Sequence, residues 1–269
     1  MEATDYNATV IGKMLVTPDL MILRVHTDEP RENFKAGQYT VVGLYGAEPR
    51  SANSAPETDP TPPGKLVLRP YSIASALSRV QEFEFYISQV KSGQLTPRLF
   101  QLELGGRLHV GKRIIGVFTL ADTPPEADIV MVATGTGLAP YICFLRSHVN
   151  DRPNSKMAVI HGAAKPWDLG YFSELTFLAS TFPNFYYLPT LTHADHTWAG
   201  HRLWIEDFLV SGELERATGI QVNPDKTHFF LCGNPTMVEK VTQILSASDY
   251  QRHSRQRPGS LHVEEFKSR

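Results

Sequence analysis

The sequence predicts two domains: an antiparallel β-barrel over residues 1–122, then an α/β domain with a parallel sheet over residues 123–269. Three observations predict this fold class. The 269 residues are 42% hydrophobic, which is enough for two modest cores. Short β-prone segments separated by turn residues fill the first part of the chain. After residue 122, apolar strand-like runs alternate with helical stretches, which is typical of βαβ units.

The barrel strands are predicted where β-branched and aromatic residues run between turn signals. They span 9–16, 21–26, 38–44, 65–68, 83–90 and 113–118. Residues 46–64 are rich in Pro, Ser and Ala and have no apolar period. Because the barrel pattern resumes after them, we interpret them as a solvated excursion between two strands.

The second domain is predicted from four strand–helix pairs. They are 129–133 with 138–149, 157–162 with 170–181, 185–191 with 202–210, and 228–232 with 235–247. This order predicts a parallel sheet with helices on both faces.

Composition excludes several classes of protein. A net charge of −2, without a basic face or a long block of like charge, argues against nucleic-acid and membrane binding. The apolar runs are strand-sized, and the acidic, polar N-terminus does not resemble a secretory signal. Cys143 and Cys232 cannot by themselves hold an iron–sulfur cluster or a four-cysteine zinc site. We therefore expect a cytoplasmic, monomeric protein without a metal site or structural disulfides.

A glycine-containing turn, Thr134-Gly-Thr-Gly-Leu-Ala-Pro140, stands between a predicted strand and a predicted helix. Glycines at such a turn let the backbone approach a phosphate, and the helix N-terminus supplies free N–H groups. Proline replaces the third glycine of the dinucleotide fingerprint, so an ordinary βα turn remains an equal alternative.

A second motif is Arg69-Pro-Tyr-Ser72. An arginine can hold a diphosphate bidentately, a tyrosine can stack on a planar ring, and a serine can donate to a ring nitrogen. The alternative is a strand end with an exposed arginine and a half-buried tyrosine.

Two further turns have the same character. Gly93-Gln-Leu-Thr-Pro97 could open a helix towards an anion, or Thr96 could simply cap that helix. Leu231-Cys-Gly-Asn-Pro-Thr-Met237 repeats the strand–glycine–helix arrangement. Cys232 could lie at a redox centre there, or it could be a small buried strand residue.

In their order along the chain, at 69–72, 93–97, 134–140 and 231–237, within a barrel followed by βαβ units, the four motifs resemble those of the ferredoxin–NADP⁺ reductase family, its bacterial branch in particular. The resemblance extends from Ala36-Gly-Gln-Tyr39 to Glu264-Glu-Phe266. It implies FAD bound by the first domain and NADP(H) by the second.

The resemblance also implies the site residues. Ser72, near flavin N5, and Cys232 would be the catalytic residues. The FAD-binding residues would be Arg69, Pro70, Tyr71, Ser72, Tyr86, Ile87, Ser88, Gln89, Gln94, Leu95, Thr96, Thr136 and Phe266. The nucleotide-binding residues would be Gly135, Thr136, Gly137, Lys165, Thr192, His193, Arg202, Gly233, Asn234, Pro235 and Met237.

Some positions depart from the family pattern. Lys165 and His193 stand where arginine usually holds the 2′-phosphate of NADP, although Arg202 matches a second expected arginine. NADP(H) is therefore expected, with NAD(H) as the alternative. Phe266 is followed by only three residues, so it would either pack on FAD or be a surface aromatic on the tail.

The activity implied is hydride transfer between NADP(H) and flavin, with single-electron transfer to or from a ferredoxin or flavodoxin bound transiently by charge. Arg252, Arg255 and Arg257 could contribute a basic patch for such a partner. Two alternatives are an NADH-dependent reductase of an oxygenase system and a flavin-binding electron-relay subunit of a larger complex.

Overall fold

The computed structural model describes residues 5–31 and 34–265. The chain divides into two compact units, Met1–Gly116 and Val117–Arg269. The sequence placed the boundary six residues later. In the structure, Phe118 packs its ring 5.3 Å from that of Phe230 and 6.0 Å from that of Tyr141, so this segment packs with the second unit.

The described part of the first unit contains a six-stranded antiparallel sheet in the order β4-β3-β6-β1-β2-β5. The strands are β1 Ala8–Thr17, β2 Leu20–Thr27, β3 Tyr39–Tyr45, β4 Leu66–Ser72, β5 Glu82–Ser88 and β6 Arg107–Val110. A bridge between Ile73 and Phe85 joins the two edge strands. The sheet therefore closes on itself, as predicted for a barrel.

Apolar side chains of neighbouring strands fill the barrel interior. Leu23 faces Phe85 and Val25 faces Phe83 across the β2–β5 pair, and all four are buried. Burying such side chains contributes about 1.5–3 kcal/mol each. One short helix, α1 (Thr96–Gln101), follows β5.

The second unit has a parallel sheet in the order β11-β10-β7-β8-β9, counted over the described residues. The strands are β7 Asp128–Thr134, β8 Met157–Ala163, β9 Phe185–Leu191, β10 Thr227–Cys232 and β11 Leu261–Glu264. The helices are α2 Ala139–His148, α3 Phe172–Thr181, α4 Ile205–Val210, α5 Glu213–Thr218 and α6 Pro235–Ser246. The carboxyl ends of β7 to β10 share one edge, where ligands bind in open α/β sheets. This confirms the predicted fold class.

Several predicted elements differ from those observed. Residues 113–118 do not form a strand: Ile115 makes an isolated bridge to Tyr39, and Gly116 has a φ of +133°. The sixth barrel strand is instead Arg107–Val110, which pairs with both β1 and β3. The helix predicted from residue 202 begins at Ile205, and α5 was not predicted.

Among the helices in the described ranges, none has the length and apolar character to cross a membrane.

Candidate active site

The Arg69–Ser72 motif forms the end of β4. Arg69 and Pro70 are exposed, Tyr71 is half-buried against Phe85, with ring centroids 6.3 Å apart, and Ser72 is buried. Burial raises the pKa of the Tyr71 phenol, although the nearby Arg69 charge opposes this, so the phenol stays neutral at physiological pH.

The structure brings the Arg69–Ser72 motif together with the Gly93–Pro97 turn. Arg69 Nη2 donates a hydrogen bond of 3.3 Å to the side-chain oxygen of Gln94, and Nη1 donates to the Leu68 carbonyl at 2.8 Å. The guanidinium is thus held at the surface beside the turn that opens α1. An exposed guanidinium with free coordination space can grip an anion bidentately.

The Tyr86–Gln89 segment is split by the end of β5. Tyr86 and Ile87 are buried, Ser88 is exposed, and Gln89 lies just beyond the strand but is buried. Gln89 Nε2 donates to Ser51 Oγ at 2.5 Å. Its buried Oε1 has no hydrogen-bond partner among the described residues, so it is an acceptor available to a ligand.

The turn at 94–96 is not the simple helix cap by Thr96 that the sequence offered as the alternative interpretation. Thr96 is the first residue of α1 rather than its cap, and Leu95, which is buried, takes the cap position without a side-chain bond. Thr96 Oγ1 instead accepts a hydrogen bond of 2.8 Å from the Val90 N–H. This contact ties the turn to the end of β5.

The glycines of the Thr134–Pro140 motif have different surroundings. The motif continues β7 as a short 3-10 helix over Gly135–Leu138, which leads into α2. Gly135 has a φ of +52°, and no described heavy atom lies within 4 Å of where its β-carbon would stand. A β-carbon on Gly137 would lie 2.3 Å from the Cys232 carbonyl oxygen. The structure thus gives the two glycines different surroundings: Gly135 borders open space, whereas Gly137 packs against the end of β10. Thr136, between them, is half-buried.

The Cys232–Pro235 turn is fastened to the end of β7. The Asn234 N–H donates to Thr134 Oγ1 at 2.8 Å, and a β-carbon on Gly233 would lie 2.4 Å from that oxygen. The Asn234 side chain caps α6 through the Thr236 N–H at 2.9 Å. Asn234 and Pro235 are exposed, whereas Met237 is buried.

Cys232 is fully buried at the end of β10. Burial, reinforced by the charge of Glu264, raises the pKa of its thiol well above the usual range. The thiol is therefore neutral at physiological pH, and a thiolate nucleophile is not favoured here.

The residues predicted to bind the 2′-phosphate lie on or beside the loop that follows β9, residues 192–204, at the carboxyl edge of the parallel sheet. The N–H groups of Thr192 and His193 donate to the carbonyls of Ala163 and Ala164, at 3.1 and 3.0 Å, next to Lys165. Thr192 Oγ1 lies 3.0 Å from His193 Nδ1.

Arg202 is exposed and folds back over the same loop. Its Nη2 donates to the carbonyls of Asp195 and Trp198, at 2.7 and 2.9 Å. Lys165 is half-buried, with its ammonium 6.0 Å from the centre of the Trp167 ring.

Asp195 is a charged residue of this loop that sequence reasoning did not identify. Hydrogen bonds from Thr197, assisted by the charges of Arg202 and Lys165, lower the pKa of its carboxyl. The only available signal was its place in the polar segment after a predicted strand. The expected phosphate site thus contains a carboxylate among its cations.

Phe266 lies outside the described residues, so its predicted role is not tested. Within residues 5–31 and 34–265, no group of His, Cys, Asp and Glu side chains could hold a metal ion.

Comparison with known proteins places these features in one family. The profile of the oxidoreductase NAD-binding domain matches residues 131–243. A ferredoxin NADP⁺ reductase from Neisseria gonorrhoeae, solved with bound FAD and NADP, matches with a TM-score of 0.82 at 24% identity over 97% of this chain and 99% of that one. This likeness supports the fold.

Two curated relatives are similar in sequence. The reductase component of a propane 2-monooxygenase from Mycolicibacterium smegmatis is 30% identical over 86% of this chain and 61% of its own length. A flavodoxin/ferredoxin–NADP reductase from Shigella flexneri is 31% identical over 222 residues, which is 82% of each chain. The chain therefore belongs to the flavodoxin/ferredoxin–NADP reductase family.

Proposed function

We propose that this chain is an FAD-dependent oxidoreductase that transfers a hydride between NADP(H) and flavin N5. Single electrons then pass between the flavin and a ferredoxin or flavodoxin. The observation that carries the proposal is the hydrogen bond between Arg69 and Gln94, which joins the two motifs expected at the FAD diphosphate.

The residues of the first unit fit FAD. The Arg69 guanidinium would pair with the diphosphate, beside Gln94, Leu95 and Thr96. Tyr71, with Pro70, would pack on the ring system. The partnerless Gln89 oxygen suits a ribityl hydroxyl, on the strand segment that also carries Tyr86, Ile87 and Ser88. Ser72, at the end of β4, would donate a hydrogen bond near N5. Bound FAD supplies the group that exchanges both hydride and single electrons.

The residues of the second unit fit a nicotinamide nucleotide. Gly135 offers a positive φ and open space at a strand–helix turn, where backbone N–H groups can face a phosphate. Thr136 and the exposed Asn234 and Pro235 would line the nicotinamide, with Gly233 and Met237 behind them. Cys232 would act there as a neutral, buried thiol that shapes the site, because its pKa is raised.

The 2′-phosphate would be held by Arg202 and Lys165, with Thr192 and His193 alongside. The Asp195 carboxylate reduces the positive charge of this group, so we propose NADPH as the preferred coenzyme with a measurable rate for NADH. Arg202 carries most of this preference because its guanidinium is always ionised.

We infer a ferredoxin or flavodoxin partner and a cytoplasmic location from what the family's members are named for. Arg252, Arg255 and Arg257 are exposed on the loop before β11, and they would steer an acidic partner. Cytoplasmic ferredoxin or flavodoxin would fit this charge.

Steady-state kinetics test the proposal. Purified protein reconstituted with FAD should oxidise NADPH with ferricyanide as acceptor, and should reduce a ferredoxin or flavodoxin. Failure to oxidise either nucleotide in the presence of FAD would favour a relay subunit instead.

A second candidate is the reductase of an oxygenase system, which the 30% identical monooxygenase reductase favours. The two functions differ in coenzyme preference. A higher kcat/KM for NADH than for NADPH would select the oxygenase system.

A further inference from the structure

The 46–64 loop is bound to the segment that carries the FAD diphosphate turn. Its Ser51 N–H donates to the Pro97 carbonyl, and its Ala55 N–H donates to the Lys91 carbonyl, both at 3.0 Å. The loop is therefore not the freely solvated excursion that its composition predicts. It runs along the residues that connect β5 to α1.

A buried carboxylate fixes this loop in place. Glu57 Oε1 accepts a hydrogen bond of 2.7 Å from Arg50 Nη1 and another from Arg98 Nη1. The side chains of Arg50, Glu57 and Arg98 are 19%, 7% and 5% exposed. The second oxygen of Glu57 accepts from the Thr61 N–H at 2.6 Å. Burial opposes ionisation of Glu57, but the bonds from Arg98 and Thr61 outweigh it and lower its pKa to about 2.

The two guanidiniums in turn hold the backbone of the diphosphate turn. Arg50 Nη1 donates to the Gly93 carbonyl at 2.8 Å, and Arg98 Nη1 donates to the Gln94 carbonyl at 2.5 Å. Arg98 Nη2 also donates to the Gly46 carbonyl at 2.8 Å, at the start of the loop. The cluster of Arg50, Glu57 and Arg98 thus connects the start and the end of the 46–64 loop, at Gly46 and Thr61, to the turn at Gly93 and Gln94.

The charge of the cluster has a consequence for ligand binding. Two guanidiniums share one carboxylate, which leaves a net charge of about +1 on side chains that are mostly removed from water. A charge in such a place acts strongly on an anion at the neighbouring surface. The diphosphate of FAD is the anion that the proposed function puts there.

We propose that Glu57 is a positioning residue for the ADP half of FAD. It locks Arg50 and Arg98 onto the Gly93 and Gln94 carbonyls, so that the turn is preorganised before the diphosphate arrives. The inference rests on the proposed function, because it assumes that this turn binds FAD. Preorganisation of a site raises affinity by reducing the ordering cost of binding.

The test is FAD binding by apoprotein carrying Glu57→Gln, followed by flavin fluorescence. We expect the Kd for FAD to rise by about tenfold or more, because Arg50 and Arg98 lose the partner that orders the turn, and this loss outweighs the attraction of the diphosphate to the extra positive charge. Riboflavin, which lacks the diphosphate, should bind wild type and variant equally. The conservative variant Glu57→Asp should recover most of the FAD affinity.

Glu48→Gln is the matched control, since Glu48 is on the same loop but accepts a hydrogen bond from Tyr6, away from the turn. It should leave FAD affinity unchanged. Titrations are run below the thermal midpoint of each apoprotein. A lower midpoint for Glu57→Gln with an unchanged Kd for FAD would overturn the proposal, as would equal weakening of FAD and riboflavin.

If Glu57→Gln does not fold, Arg50→Met replaces it, because the Arg98–Glu57 pair then stays neutral while the Gly93 anchor is lost. The same loss of FAD affinity is expected, and an unchanged Kd would overturn the inference. A wild-type protein that binds no FAD would instead contradict the proposed function itself.

Discussion

The backbone of Gly137 lies directly against the backbone of Cys232, so that a β-carbon on Gly137 would stand 2.3 Å from the Cys232 carbonyl oxygen. This contact packs the turn after β7 against the end of β10. Gly135, two residues earlier, has open space at the same position and a φ of +52°. One glycine therefore serves packing between strand ends, and the other serves a backbone turn of positive φ beside open space.

The two glycines predict different outcomes for Gly137→Ala and Gly135→Ala. Gly137→Ala should lower the free energy of unfolding by about 1–3 kcal/mol or more, because the backbone of Cys232 cannot move away cheaply. Gly135→Ala should cost about 1–2 kcal/mol for its positive φ and should also raise the KM for NADPH. Urea unfolding and steady-state kinetics measure both. Gly64→Ala is the control, since no described atom lies within 4 Å of where the β-carbon of residue 64 would stand. An equal free energy of unfolding for Gly137→Ala and Gly64→Ala would refute the packing argument.

Arg69→Ala should lose FAD during purification. The variant removes the guanidinium that stands beside Gln94, and charge-assisted hydrogen bonds contribute about 1.5–3 kcal/mol each. The ratio of flavin to protein absorbance measures the loss. Arg79→Ala, which removes an exposed arginine paired with Glu82, should keep its flavin. Full flavin retention by Arg69→Ala would count against the diphosphate role.

Coenzyme preference should depend on Arg202 and Asp195 in opposite directions. Arg202→Ala should raise the KM for NADPH by about tenfold to a hundredfold and leave that for NADH unchanged, because only NADPH carries the 2′-phosphate. Asp195→Asn should raise the preference for NADPH, since it removes the negative charge beside Arg202 and Lys165. The kcat/KM ratio for the two coenzymes measures both effects. Equal use of both coenzymes, unaffected by Arg202→Ala, would show the phosphate assignment to be wrong.

The histidine stack on β10 and β11 should make stability depend on pH. His262 lies parallel to Phe230 at 4.1 Å, and its Nε2 is 3.0 Å from His228 Nδ1. Burial is the larger cause, and the electrostatic effect of the neighbouring His253 the second, of a pKa lowered to about 3 for His262 and to about 4 for His228. The unfolded chain, in which a histidine pKa is about 6.5, takes up protons first. The contribution of these two histidines to the free energy of unfolding is therefore complete above about pH 6.5 and is lost as the pH falls towards 4.

His262→Phe tests this account, because it keeps an aromatic ring over Phe230 but removes one titrating group. The pH dependence of the free energy of unfolding should become shallower by about 1.4 kcal/mol per pH unit in that range. His196→Gln, at an exposed histidine, should leave the dependence unchanged. An identical slope for His262→Phe and wild type would argue against buried neutral imidazoles.

Local patterns were sufficient for strands β7 to β10 of the second unit. Apart from His228, the strand runs 129–133 and 228–232 are apolar because both faces of a parallel sheet are covered, and their predicted bounds lie within one residue of those of β7 and β10. The motifs at these strand ends could also be found from the sequence, because each of them is a short, contiguous run of residues. The true sixth barrel strand, Arg107–Val110, depends on pairing with β1 and β3, which sequence does not display.

Residues that act through distant contacts were not predictable. Glu57 is 41 positions from Arg98, and the Pro- and Ser-rich segment around it is typical of a solvated loop. Asp195 acquires its significance only when Arg202 folds back onto its carbonyl. Both depend on three-dimensional proximity, whereas the glycine turns and the Arg69 motif depend on residue type and order alone.

Anaerobic titration of the FAD-loaded protein with NADPH tests the central claim most directly. The account predicts that the visible flavin absorption is bleached by about one equivalent of NADPH, and that an oxidised ferredoxin or flavodoxin restores it. Flavin that stays oxidised in excess NADPH and NADH would contradict the account.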